Sequence, residues 1–105
     1  MHTSGEGKYQ VWMKKEMVGN DLVYIIGGGE RPHLGGMTIC EPGKTPINFE
    51  LEGHFDCTVT GPIAGAACEK YGVKTVCLGG VHVDNASKKE IDILVKNCKA
   101  LVQCV

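Results

Sequence analysis

Three of the four histidines keep similar company. His33 lies in PHLGG, His54 in GHFD and His82 in VHVDN, each where an apolar run gives way to glycine or to polar residues. Strand ends and connections of this kind are where binding and catalytic groups concentrate. Gathered with Asp56 or Asp84, the imidazoles would make a donor set for zinc or iron. That would need three distant segments to converge with no HxxxH or HxH pair to anchor them.

A second chemistry is anion binding. Gly27, Gly28 and Gly29 can turn successive amides towards one point, Arg31 adds a fixed charge with several donors, and a helix starting at Ser87 offers unpaired N–H groups at its positive end. A phosphorylated cofactor suits that set. GGGERPHLGG has neither the GxGxxG nor the Walker spacing, however, and glycines that merely relieve a turn account for it equally well. A third chemistry is catalysis by Cys57 beside His54 and Asp56, but adjacency in sequence does not supply the geometry of a nucleophile and its base.

GGVHVDNASKKE, residues 79–90, separates ligand chemistry from helix punctuation. Ser87 followed by Glu90 is a capping box, which explains both residues without a ligand. In strand alternation His82 and Asp84 share the face opposite Val81 and Val83. His82 and Asn85 therefore exceed what starting a helix requires.

The elements that must position these residues follow from periodicity. YQVWMKKEMV, residues 9–18, suits a half-buried strand, and GND makes the turn into LVYII, a central strand at 22–26. The glycine-rich stretch from Gly27 to Gly36 reads as a loop leading to a third strand near MTIC. INFELE alternates cleanly, with Ile47, Phe49 and Leu51 on one face. IAGAACEKYG reads as a helix with Pro62 in its first turn and Thr60 as a possible cap; a start near Phe55 would put the proline inside the helix. KTVCLGGVHV is a fifth strand, and Gly79-Gly80 within it marks a bulge or the close approach of a ligand or another backbone. The last helix carries Ile91, Leu94, Val95, Cys98, Leu101, Val102 and Val105 on one face. The order β-β-β-β-α-β-α predicts an α+β fold, a mostly antiparallel sheet of about five strands with two helices on one face.

The chain of 105 residues has room for one domain, expected over residues 9–105 behind a flexible tail at 1–8. Eleven basic residues against twelve acidic ones leave no footprint for a nucleic-acid partner. No apolar run reaches membrane-spanning length and the first residues lack a signal-peptide pattern, so a cytoplasmic location without a membrane partner is expected. The six cysteines show no CxxC pair and read as reduced, small hydrophobes.

The succession PHLGG, GHFD and VCLGGVHVDNAS before an amphipathic helix resembles the prenylated-flavin chaperones, the small D-type subunits that accompany gallate and related UbiD-type decarboxylases. The likeness covers about residues 22–102 and is most specific from Gly80 to Ser87. It implies a fold related to the proteasome-assembly chaperones, self-association as a homodimer, and a non-catalytic role in supplying prenylated FMN, or a related flavin phosphate, to the large decarboxylase subunit. With that ligand in view, Arg31 and the Gly27–Gly29 loop are the candidates for the phosphate, and His33, His54, His82 and Asn85 for the pocket. Two alternatives remain: an assembly chaperone of this fold with no small ligand, and a metal-dependent enzyme using His33, His54 and His82.

Overall fold

The computed structural model describes all of the chain except residues 52–55. The described residues form a mixed α+β fold with six strands and two helices: β1 (His2–Ser4), β2 (Val11–Val18), β3 (Asp21–Gly29), β4 (Gly36–Cys40), β5 (Ile47–Glu50), α1 (Asp56–Tyr71), β6 (Thr75–His82) and α2 (Lys88–Leu101). The strands lie in the order β1-β2-β3-β6-β4-β5. All neighbours are antiparallel except β3 and β6, which run parallel.

Three features differ from the expected arrangement. His2–Ser4, part of the expected tail, adds a sixth strand by pairing with Val11–Met13. The glycine triplet is strand rather than loop: β3 runs through Gly29, whose amide donates to the Gln10 carbonyl at 2.9 Å. Finally, α1 begins at Asp56 with Pro62 inside it, instead of starting around the proline. Pro62 is solvent-exposed, so its ring has room outside the core, and the helix does without the one hydrogen bond its missing N–H would have made.

Strand alternation divides the sheet into two faces of different fate. One packs under the helices, where Val11 and Met13 of β2, Leu22, Tyr24 and Ile26 of β3, and Cys77 of β6 meet Ile63, Ala64 and Ala67 of α1 and Leu94, Cys98 and Leu101 of α2 in one buried cluster. The small residues of α1 let its backbone approach the sheet closely. Thr38 of β4 and Thr60 of α1, both fully buried, satisfy each other at 2.8 Å, and Thr38 also donates to Asn48 at 2.7 Å. The other face carries Val23, Ile25, Met37, Ile39, Val76 and Leu78, all half-buried, and Ile47 and Phe49, which are 54% and 45% exposed. None of these eight belongs to the core cluster.

None of the six cysteines forms a disulfide, and burial pushes the Cys40 and Cys77 thiols upward, as befits packing rather than reactivity. The Cys57 thiol points at the Phe49 carbonyl, 3.3 Å away.

Candidate functional site

The carboxyl end of β6 and the start of α2 build the site. Gly79, with φ of 131°, lets β6 pass close to β3, so the expected close approach is that of a backbone, the Ile26 carbonyl. Beyond it Val81 packs against the core and Val83 is buried, while His82 is half-buried and Asp84 exposed. The segment joining β3 to β4 is laced onto this strand end. The amides of Glu30 and Arg31 donate to the His82 carbonyl at 2.7 and 3.2 Å, His33 N to Gly80 O at 3.4 Å, and Gly35 N to Gly79 O at 3.1 Å.

That lacing gathers the polar groups. Arg31 pairs with Asp84 Oδ1, the same oxygen that meets His82 Nε2 at 3.0 Å, while Asp84 N donates to Glu30 Oε1 at 3.0 Å. The His33 and His82 rings stand edge to face with centroids 6.0 Å apart. Arg31 and Asp84 are both more than half exposed, so their ion pair orders the loop more than it stabilises the fold. It also offsets the Arg31 charge: an anion arriving there competes with Asp84.

Next to this network lies a cavity of about 240 Å³ between β6, α1 and α2. Val59, Val81, Val83, Ala86, Ile91, Leu94 and Val95 make an apolar wall, and among the described residues His82 and Asn85 add polar groups to the lining. Asn85, with φ of 51°, is the one non-glycine in the left-handed region among the described residues. Asparagine tolerates that conformation better than most residues, and such positions cluster at ligand clamps.

The capping box forms as expected: Glu90 N donates to Ser87 Oγ at 3.2 Å and Ser87 N to Glu90 Oε1 at 3.1 Å. Tyr9 Oη donates to Glu90 Oε2 at 2.8 Å and Lys8 Nζ lies 3.1 Å from it. The Ser87 amide, then Lys8 and Tyr9, hold the Glu90 carboxyl down at about 2, against an ordinary value of 4.5. In that window the unfolded chain binds a proton that the folded chain refuses, so this contribution is whole above about 4.5 and is lost as pH falls towards 2. Glu90→Gln should flatten this part of the acid limb in thermal midpoints measured from neutral pH downward, and an unchanged limb would refute the assignment. Ser87→Ala should cost about 1 kcal/mol in urea unfolding at neutral pH.

The residues singled out by sequence thus part company. His33, His82 and Arg31 come together, and Asn85 lines the cavity with His82. His54 lies outside the described residues. Gly27, Gly28 and Gly29 lie within β3, where a side chain at Gly27 would meet the Trp12 ring at 2.3 Å and one at Gly29 the His82 carbonyl at 2.3 Å, so these glycines admit close packing. Sequence reading missed Asp84 as the shared partner of Arg31 and His82, and Val59 and Ile91 as cavity wall. Among the described residues no three His, Cys, Asp or Glu side chains converge as a metal ion would require. No helix among them is long and apolar enough to cross a membrane.

Compared with known families, residues 5–105 match the model of the prenylated flavin chaperone LpdD-like domain. A comparison with curated proteins finds no match.

Proposed function

The chain belongs to the prenylated flavin chaperone LpdD-like family, and on that premise we propose that it is a non-catalytic carrier that holds prenylated FMN, or a related flavin phosphate, for delivery to the large subunit of a UbiD-type decarboxylase. The observation that carries this reading is the apolar cavity with His82 and Asn85 at its lining. Ligand pockets are mostly apolar with a few placed polar groups, and typically measure roughly 300–1,000 Å³. At about 240 Å³ the cavity is sized for part of a flavin, so the apolar edge of the ring system enters and the phosphate tail stays at the mouth.

The residues present fit such a ligand. Val81, Val83 and Leu94 exclude water from the ring, and His82 and Asn85 can hydrogen-bond its polar edge. Lys88 and Lys89 at the start of α2, with Arg31 once released from Asp84, supply positive charge for the phosphate. The flavin's own redox and adduct chemistry then takes place in the decarboxylase. A homodimer in a reducing, cytoplasmic setting suits six cysteines that form no disulfide.

Co-expression with a flavin prenyltransferase tests the proposal. The purified protein should carry a modified flavin, visible by absorbance and identified by mass spectrometry, and should speed activation of an apo-decarboxylase. Protein that emerges unliganded under those conditions, and without effect on the decarboxylase, would refute it.

A further inference from the structure

The Arg31–Asp84 pair is exposed and joined at one point, and the flavin reading gives Asp84 no role of its own. Arg31 reaches Asp84 Oδ1 through Nη2, and that same oxygen meets His82 Nε2 at 3.0 Å. One carboxylate oxygen thus serves two partners, and the guanidinium forgoes the two-pronged pairing that makes its bonds to carboxylates strong. We propose that Asp84 is a competitor built into the site: it contends with the phosphate of the flavin for the Arg31 guanidinium, which loosens the ligand and eases its release to the decarboxylase. This rests on the flavin-phosphate reading and names the residue that sets how firmly the phosphate is held.

The backbone confines the exchange to side chains. The Glu30 and Arg31 amides are anchored on the His82 carbonyl and the Asp84 amide on Glu30 Oε1, so the main chain stays in place when the pair opens. The Arg31 side chain is 66% exposed and that of Asp84 53%, so water solvates both as they part and opening costs little. A phosphate monoester brings three acceptor oxygens and a charge of about −1.5 to −2 near neutral pH, which a guanidinium can hold with two parallel bonds. Asp84 keeps one partner throughout, because His82 Nε2 shares its oxygen, and His82 in turn lines the cavity. The phosphate therefore wins Arg31, but by less than it would without Asp84. An exposed ion pair of this kind lowers the affinity by about fivefold. Riboflavin, which has the ring system and no phosphate, is untouched by the competition.

Fluorescence titration of the purified chain with FMN and with riboflavin tests this. The wild type should favour FMN. Asp84→Asn, which keeps the shape and an acceptor but drops the charge, should bind FMN about fivefold more tightly and riboflavin as before. Should that variant fold poorly, Asp84→Ser removes the same charge and should give the same gain. Arg31→Ala should lose the preference for FMN, and in that background Asp84→Asn should bring no gain, because Asp84 acts through Arg31. The proposal is overturned by an Asp84→Asn protein that binds FMN no more tightly, by a gain that riboflavin shares, or by a gain that persists without Arg31. FMN binding by none of these proteins overturns it too, whatever the co-expression assay returns. The flavin reading itself falls only if that assay yields unloaded protein without effect on the decarboxylase, so the two fail separately.

Discussion

Replacing Gly79 with alanine is expected to leave little folded protein. Gly79 adopts φ of 131°, a region almost closed to residues with a Cβ, and an added Cβ would sit 1.8 Å from the Ile26 carbonyl oxygen and 2.8 Å from its carbon. Both atoms belong to the backbone of β3, which cannot swing aside as the tip of a side chain can. Gly79 pairs with Ile26 on one side and Gly36 on the other, so relief on either side tears the centre of the sheet. A cost of about 3 kcal/mol or more is expected, set against roughly 5–15 kcal/mol of stability for a whole domain. For a domain of this size that corresponds to a fall of roughly 10–25 °C in thermal midpoint, or to loss of soluble protein. Gly65→Ala is the control: a Cβ there meets nothing within 4 Å, and within α1 alanine should stabilise by roughly 0.5–1 kcal/mol. A Gly79→Ala protein melting with the wild type would refute this account of the strand crossing.

Ala86→Phe should abolish the flavin loading proposed for the cavity without unfolding the protein. Ala86 is half-buried, lines the cavity and precedes the Ser87 cap, so a phenyl ring there has the cavity to enter. It fills much of the 240 Å³ that the apolar part of the ligand would use, and flavin loading in the co-expression assay should drop tenfold or more. Because the ring enters space that is already open, the thermal midpoint should change little. Leu94→Ala is the converse case: it enlarges the cavity while removing a buried contact, at a cost of roughly 2–5 kcal/mol. Full flavin loading by a stable Ala86→Phe protein would place the ligand elsewhere.

Periodicity made much of this architecture legible. The hairpin through Gly19, the alternation of Ile47 and Phe49, and the capping box with its amphipathic helix are local patterns, and the structure forms each of them. What failed depended on partners distant in sequence. Glycine density at 27–29 read as a loop because nothing local reveals that Trp12 and the His82 backbone will occupy the space a side chain would need. Pro62 marked a helix start by propensity, yet the α1 backbone tolerates it mid-helix where it faces solvent. His2–Ser4 is too short to show a pattern, and the parallel pairing of β3 with β6 is set by the crossover through α1. At the site, clustered polar residues pointed to His33 and His82, whereas the apolar wall from Val59 to Val95 is assembled from three elements and leaves no linear trace.

The strand order carries a consequence for how the molecule is made. β6 is the last strand synthesised, yet it lies between β3 and β4. Until residues 75–82 emerge, β3 and β4 each present an open edge with no partner, and such edges invite pairing with other chains. The β2–β3 hairpin can form early from local contacts, but the centre of the sheet waits for a segment some fifty residues further on, which makes closure slow relative to hairpin formation. A chain ending before β6 is therefore expected to aggregate rather than fold in part, and synthesis in the presence of general folding assistance is expected to raise the yield of folded protein.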